Sequence, residues 1–197
     1  MRRTVTTEDL YLEGEERFGP VTSFFFGLGS IFLNRYYEVI LEDLGTKKFD
    51  GLLDVGCGTG ALLTRLAERY PSKNFYGLDP SPHMLERAKK NLSRKGLGSR
   101  VDLKIGSSRF IPFDTHFDAI ISSFSYHHWI ERDKSLKSLV HHLNEHGSIS
   151  IYEYDNSNRS LNSSHGVEER EWDSLQIEGI DKSIKHTKGI IILTLSK

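Results

Sequence analysis

The feature that most constrains the fold of this chain is an apolar run that contains an acid and leads directly into three alternating glycines. The run is Leu52–Val55, with the acid at Asp54, and the glycines are Gly56, Gly58 and Gly60. An apolar run that enters a glycine-rich turn is typical of a buried strand that passes into a helix. The exposed backbone amides of such a turn, together with the helix N-terminus, form a place where a ligand can bind. The pattern therefore predicts an α/β fold with a nucleotide-type cofactor site at the turn.

Strands and helices alternate after the glycine turn, as a doubly wound parallel sheet requires. We predict strands over residues 52–55, 75–79, 101–105, 117–122, 147–152, 180–187 and 189–195. Helices are predicted over 30–44, from Leu62 to near Pro71, from residues 80–82 to Gly96 with an apolar stripe that starts at Met84, and over 167–176. A further helix is predicted along an apolar stripe that runs from Leu136 to Leu143. The dipeptide Lys188-Gly189 predicts a tight hairpin between the last two strands. The expected fold is a Rossmann-like sheet of about seven strands, mostly parallel, with an antiparallel C-terminal hairpin and helices on both faces.

Composition favours one compact domain that has a mixed surface charge. The chain has 197 residues, 37% of them hydrophobic, and its 26 basic and 27 acidic residues give a net charge of -1. No broad cationic face is predicted, so nucleic acid is a poor candidate partner. The single cysteine, Cys57, forms no internal disulfide, which together with a polar N-terminal segment favours a cytoplasmic location. The apolar stretch 21–33 is shorter than the roughly 20 residues of a spanning helix, so no stable membrane insertion is expected.

The glycine spacing and its flanking acids resemble the first motifs of the class I S-adenosylmethionine (SAM)-dependent methyltransferases, in particular the small-molecule group of type 11. The spacing is Gly-x-Gly-x-Gly rather than the Gly-x-Gly-x-x-Gly of dinucleotide binders. Asp54 suits a cationic ligand and would repel a pyrophosphate. Asp79, at the tip of the second predicted strand, suits the two ribose hydroxyls of a nucleoside. The resemblance implies SAM as cofactor and S-adenosylhomocysteine (SAH) as product, with residues 49–197 as the SAM-binding domain and residues 1–48 as a helical lid.

Cofactor-binding residues follow from the resemblance, position by position. Many relatives carry an acid after the third strand that recognises adenine, whereas this chain has Ser107 and Ser108 there. We expect hydrogen bonds from these serines to replace the acid. The residues expected to bind the cofactor are Asp54, Gly56, Cys57, Gly58, Gly60, Asp79, Pro80, Met84, Ser107, Ser108 and Ser123.

The segment after the fourth predicted strand is expected to face the transferred methyl group, because ligands gather at the carboxyl ends of parallel strands. His127 or His128 would accept a proton from a hydroxyl or an acidic carbon. A base is optional, since alignment and desolvation supply much of the rate of methyl transfer. Adjacent side chains of an extended segment diverge, so we expect one histidine to point away and no metal site to form. The residues expected to line the substrate pocket are Tyr11, Phe18, Phe124, Tyr126, Trp129 and Tyr154.

Motifs that the sequence lacks narrow the methyl acceptor to a small molecule. The residues after the fourth strand contain no Asn/Asp-Pro-Pro-aromatic run, and Cys57 is not preceded by proline, so two classes of nucleic-acid methyltransferase are disfavoured. Two other functions stay open. A non-catalytic SAM-binding regulatory module is compatible with the missing acid after the third strand. An NAD-dependent oxidoreductase shares the architecture, but no tyrosine has a lysine four residues later, as short-chain dehydrogenases require.

Overall fold

Seven strands form one sheet in the part of the chain that the structure describes, residues 33–156 and 166–197 of a computed structural model. The strands are β1 (Gly51–Val55), β2 (Asn74–Asp79), β3 (Val101–Ile105), β4 (Phe117–Ser123), β5 (Leu143–Tyr154), β6 (Asp181–Thr187) and β7 (Ile190–Ser196). Their spatial order is β3-β2-β1-β4-β5-β7-β6. Strands β1 to β5 pair in parallel, and β7 is antiparallel to both β5 and β6. The predicted Rossmann-like sheet is confirmed.

Helices cover both faces of this sheet, because alternate residues of each strand point to opposite sides. The described helices are α1 (33–44), α2 (Ala61–Arg69), α3 (Pro82–Arg94) and α4 (Arg132–Val140). Leu52 packs with the apolar sides of α1, α2 and α3, whereas its neighbour Leu53 packs with that of α4. None of the helices in the described ranges is long and apolar enough to cross a bilayer.

The predicted extension of α4 to Leu143 is wrong. Helix α4 ends at Val140, and Leu143 begins strand β5, where it pairs with Phe117. The pairing register between β4 and β5 then shifts before it resumes at Ser148, and His146 in this stretch has a positive φ of 65°. Leu143 is buried in either arrangement, so its apolar character alone does not separate a helix end from an irregular strand start. Strand β5 is consequently longer than the predicted 147–152.

The helix predicted over 167–176 is also wrong, since only a short 3-10 turn forms at Glu169–Trp172. Val167 makes a bridge to Asp155, which keeps the backbone extended just before the turn. The hairpin prediction, in contrast, is confirmed. Lys188 and Gly189 both have positive φ, 48° and 84°, as the tightest two-residue hairpin turns require.

His186, on the outer strand β6, connects two other segments through its imidazole ring. Its Nδ1 lies 2.7 Å from Asp155 Oδ2 at the end of β5, and its Nε2 lies 2.9 Å from Glu169 Oε2 in the 3-10 turn. Both ring nitrogens donate when the ring is protonated, so hydrogen bonds to Asp155 and then to Glu169 raise the pKa of His186. The resulting stabilisation is complete below the unfolded-state pKa, about 6.5, and is lost as pH rises through the raised folded-state pKa.

We predict that replacing His186 by glutamine lowers the free energy of unfolding at pH 5.5 and has a smaller effect at pH 8.5. The reason is that glutamine cannot become the cation that both carboxylates accept from. Urea unfolding of both proteins across this pH range measures the difference. The same substitution made in an Asp155→Asn, Glu169→Gln background should show no such pH trend. An equal loss at every pH in the wild-type background would contradict the prediction.

Candidate functional site

The glycine turn between β1 and α2 is held against the end of the neighbouring strand β2. Gly56 N and Cys57 N both donate to Leu78 O, at 2.8 and 3.0 Å. Gly56 has a φ of 78°, and a Cβ atom there would stand 2.3 Å from Ser125 Oγ in the segment that follows β4. Gly58 has a φ of 54°, and a Cβ atom there would meet nothing within 4 Å. Glycine is thus required by close approach at Gly56 and by backbone conformation at Gly58, which faces open space.

Asp79, at the carboxyl end of β2, joins the glycine turn to the start of α3. Its Oδ2 accepts a hydrogen bond from Gly58 N and its Oδ1 accepts one from Ser81 N, both at 2.9 Å. Its carboxylate is almost buried, with 6% of the residue exposed. A carboxylate oxygen can accept more than one hydrogen bond, and Asp79 is one of the residues that line the cavity.

Asp54, in β1, is a buried acid with an unsatisfied oxygen. The residue is 1% exposed, and its Oδ1 has no hydrogen-bond partner. Burial, and secondly the charge of Asp79, raise the pKa of Asp54 to about 8. A polar atom that is buried without a partner is costly and demands an explanation. A cationic ligand group is the chemistry that this carboxyl lacks.

A cavity that is partly open to solvent lies at the carboxyl ends of β1, β2 and β4. Several of the predicted residues line it, from the glycine turn, β2, α3 and the segment after β4. They are Gly56, Cys57, Gly58, Asp79, Met84, Ser123, Phe124 and His128. Asp54 and Gly60 are not among the described lining residues. Asp54 is buried in β1, two residues before Gly56, and Gly60 packs against Ala88.

Other lining residues were not predicted for the site. They are Leu33, Tyr37, Thr59, Ala61, Leu62 and Ser125. Tyr37 is the most informative, because burial and then the charge of Asp54 raise the pKa of its hydroxyl. The sequence indicated Tyr37 only as part of the apolar stripe of a helix. Ile105, which pairs with Asp79 in the β2–β3 ladder, leaves 36% of its surface exposed.

The two serines after β3 make hydrogen bonds within the protein. Ser108 Oγ lies 3.0 Å from Ser135 Oγ in α4, and Ser107 Oγ accepts from Arg109 N at 3.3 Å. Both serines are buried. Their hydroxyls are therefore engaged away from the lining of the cavity. Pro80, beside Asp79, is half-buried.

Tyr126 and Trp129, predicted to line the substrate pocket, are not among the described residues that line the cavity. Both are buried in the core on the α4 face, where their rings lie 5.2 Å apart and Tyr126 also contacts Trp172 at 5.8 Å. Tyr154 lies behind the lining, stacked on Phe124 with ring centroids 4.5 Å apart. Tyr11 and Phe18 lie outside the described residues.

The two histidines lie on a 3-10 turn, Tyr126–His128, and not on an extended segment. Their rings are close, with centroids 3.9 Å apart, so the extended backbone assumed in the prediction is wrong, although only one of the two rings lines the cavity. His128 reaches the cavity wall, whereas the His127 ring contacts the buried carboxylate of Glu153. Nowhere in the described ranges do three His, Cys, Asp or Glu side chains form a group suited to a metal ion.

Cys57 fills space in the turn and carries no reactive thiolate. Burial, and then the charges of Asp79 and Asp54, raise the pKa of its thiol, so the sulfur keeps its proton at neutral pH. Cys57 is therefore not a nucleophile in this turn.

Comparison with known proteins agrees with this arrangement. Residues 52–147, which run from β1 to the start of β5, match the family model described as a methyltransferase domain. Over these residues the chain is similar to a methyltransferase domain. Among curated proteins, the demethylmenaquinone methyltransferase of Lactobacillus johnsonii is 32% identical to it over 122 residues, covering 61% of this chain and 50% of that protein. The chain spans about half the length of the curated relatives that it matches.

Solved structures of methyltransferases have the same fold as this chain. A SAM-dependent methyltransferase from Aquifex aeolicus has a TM-score of 0.73 at 20% identity and covers 91% of this chain and 98% of its own. The structure described as PigF with SAH has a TM-score of 0.74 at 18% identity, covering 91% of this chain and 60% of its own. At these identities the likeness concerns the fold alone.

We predict that Gly56→Ala destabilises the protein more than Gly58→Ala does. Each substitution costs about 1 kcal/mol for a side chain at positive φ, but only Gly56→Ala also forces a Cβ atom into Ser125. The steric overlap should cost about 1 to 3 kcal/mol more. Chemical unfolding measures both costs, and adding Ser125→Gly to Gly56→Ala should recover most of the excess. Equal costs for the two alanine variants would contradict the geometry.

We predict that Asp54→Asn stabilises the protein in the absence of ligand. The folded-state pKa of Asp54, about 8, lies above its unfolded value, about 3.9, so ionisation favours the unfolded chain. The advantage of the variant in free energy of unfolding should grow between about pH 4 and pH 8 and then level off. Urea unfolding at several pH values tests this, with Asp50→Asn as an exposed control. A variant that is less stable than the wild type throughout would refute the interpretation of Asp54.

Proposed function

We propose that this protein is an enzyme that transfers a methyl group from SAM to a small-molecule acceptor by in-line displacement. The observation that carries the proposal is the buried Asp54, whose Oδ1 has no hydrogen-bond partner among the described residues. Asp54 lies two residues before Gly56, which lines a cavity at the carboxyl ends of β1, β2 and β4. In open α/β sheets this edge, where the strand order reverses, is where ligands bind. A cationic ligand satisfies Asp54 better than an anionic pyrophosphate would.

The residues present fit the parts of SAM. Asp54 and the backbone of Gly56–Gly58 would hold the methionine portion, with Gly58 leaving the space that a Cβ atom would fill. Asp79 would accept hydrogen bonds from the ribose hydroxyls. Apolar surface for the adenine ring is available on Met84, Pro80 and Ile105. The Ser108 hydroxyl contacts Ser135, and Ser107 is hydrogen-bonded through both its backbone and its hydroxyl, so we infer that the backbone of Ser108 would meet adenine.

When bound, SAM supplies an electrophilic methyl group on a sulfonium cation. The protein's contribution is to align the acceptor with this methyl group and to exclude water, which Tyr37, Leu33 and Phe124 favour by lining the cavity. The acceptor provides the electron pair of the new bond, and the electrons of the broken bond stay on sulfur. For a hydroxyl acceptor, His128 at the cavity wall is placed to take the proton that is released. His127, engaged with Glu153, is the less direct candidate.

The character of the cavity wall favours a neutral or cationic acceptor. Asp79 is the carboxylate among the described lining residues, and those residues include no lysine or arginine. Phe124 belongs to a cluster of three aromatic rings. Its ring centroid lies 5.7 Å from that of Tyr36 and 4.5 Å from that of Tyr154. Aromatic small molecules are therefore the first acceptors to test, and the demethylmenaquinone methyltransferase relative makes quinols a natural choice among them. The proposal keeps residues 1–48 as a lid, a cytoplasmic site of action, and a small molecule rather than nucleic acid as partner.

We predict that the purified protein binds SAM and SAH, and that Asp79→Asn and Asp54→Asn each weaken SAM binding at least tenfold. Asp79→Asn loses the ribose acceptor and Asp54→Asn loses the charge opposite the cation. Isothermal titration calorimetry measures both effects, with the exposed Asp102→Asn on β3 as the matched control. Absence of SAM binding by the wild-type protein would refute the proposal, and binding of NADH instead would favour an oxidoreductase.

Transfer of label from methyl-labelled SAM to a panel of phenols, quinols and amines separates an enzyme from a SAM-binding regulatory module. An enzyme yields SAH and a labelled product in equal amounts. SAM binding without any transfer, across this panel and a metabolite extract, would favour the regulatory module.

A further inference from the structure

Glu153 is a fully buried acid whose position the proposed chemistry leaves unexplained. It lies in β5, pairs with Ile191 of β7, and is 0% exposed. Removing a carboxylate from water is costly unless hydrogen bonds compensate for the lost hydration. A buried carboxyl group at this position in β5 therefore requires hydrogen-bond partners within the protein.

Those partners belong to His127. The Nδ1 atom of His127 lies 3.1 Å from Glu153 Oε1 and 3.0 Å from Oε2, and the backbone N of His127 donates to Oε1 at 3.2 Å. Both carboxyl oxygens face Nδ1 and Oε1 also accepts from the backbone, so we infer the tautomer in which Nδ1 of His127 donates to Glu153. Glu153 thus fixes both the orientation and the protonation of one ring nitrogen, on a side chain that is itself 7% exposed.

The turn that carries His127 is also held on its opposite side. Arg132 donates through Nη2 to the carbonyl oxygen of His127 at 2.6 Å, and its Nη1 donates to Glu171 Oε2 at 2.6 Å. His128 N donates to Ser125 O at 3.0 Å, which closes the turn. The backbone of His127 is consequently hydrogen-bonded to side chains from both β5 and α4.

The fixed ring of His127 lies against the ring of His128. Their centroids are 3.9 Å apart and their planes are inclined by 47°. His128 lines the cavity, next to Phe124 and Ser125. A continuous series of contacts therefore runs from the buried Glu153 through His127 to a ring at the cavity wall.

We propose that Glu153 is a positioning residue, which acts through His127 to hold the imidazole of His128 at the acceptor side of the cavity. This inference rests on the proposed methyltransferase function. Glu153 touches neither cofactor nor acceptor. Its role is to remove the rotational freedom of His127 and thereby that of the ring packed on it.

The test is Glu153→Gln, because glutamine keeps the shape of the side chain while replacing one oxygen by an NH2 donor. An NH2 donor at the Oε2 position, 3.0 Å from Nδ1, disfavours a proton on Nδ1 and favours the tautomer that carries it on Nε2. Long-range 1H–15N NMR spectra of histidine-labelled protein report which nitrogen of each ring is protonated. We expect a protonated Nδ1 on His127 in the wild type, and its loss in the variant. Retention of that proton in the variant would overturn the proposal.

The effect on His128 is measured with SAH as the probe. In the wild type, SAH should shift the ring signals of His128, whereas in Glu153→Gln the shift should be reduced by at least half although SAH affinity changes by less than threefold. With any acceptor found in the labelled-methyl assay, kcat should fall tenfold or more while the Kd for SAM stays within threefold. An unchanged SAH response of His128, or an unchanged kcat, would overturn the proposal.

Two further variants complete the experiment. Glu145→Gln, an exposed acid near the opposite end of the same strand, is the matched control and should leave all readouts unchanged. If Glu153→Gln does not fold, His127→Asn keeps a donor for Glu153 but removes the ring beneath His128, and it should reduce the SAH response in the same way. If the wild type binds no SAM or SAH, the proposed function fails, while the NMR comparison still decides whether Glu153 controls His127.

Discussion

Strand β1 lies between β2 and β4, and the rest of the site depends on how its end leaves the sheet. The amides of Gly56 and Cys57 donate to Leu78 O on one side, and Gly56 approaches Ser125 from the strand on the other. Three chain segments therefore meet within a few ångströms at the point where the strand order reverses. The meeting creates the cavity, because the chain after β2 and the chain after β4 turn to opposite faces of the sheet.

The buried acid Asp54 lowers the stability of the folded protein. Asp54 is held in surroundings that favour its neutral form, with the Asp79 charge as an additional opposing influence. Asp79 is compensated by two backbone amides, whereas Oδ1 of Asp54 has no partner. Such an arrangement is typical of binding sites, where a group is placed for a ligand and folding tolerates the cost. Glu153 shows the contrasting solution, an equally buried acid whose hydrogen bonds come from within the protein.

Most of the sheet was predictable because its signals are local. Strand β3 matches its prediction residue for residue, and the stripes of α2 and α3 identify the buried faces of those helices. The wrong predictions share a non-local cause. The start of β5 depends on the pairing of Leu143 with Phe117. The turn that carries the histidines follows Phe124, which has a positive φ of 55° although it is not a glycine, so the sequence gives no local signal for it. Tyr37 and Glu153 look like ordinary helix and strand residues until tertiary contacts bring them to the site.

Helix α1 contributes both to the hydrophobic core and to the wall of the cavity. Its inner side, including Ile40 and Leu44, belongs to the core, and Tyr152 in β5 donates to Asp43 near its end at 2.8 Å. Its earlier residues Leu33 and Tyr37 form a wall of the cavity. A ligand that contacts this wall binds only while the helix is docked, so filling the cavity and docking the helix are thermodynamically linked. The protection of α1 amides from hydrogen exchange is thus a measure of cavity occupancy.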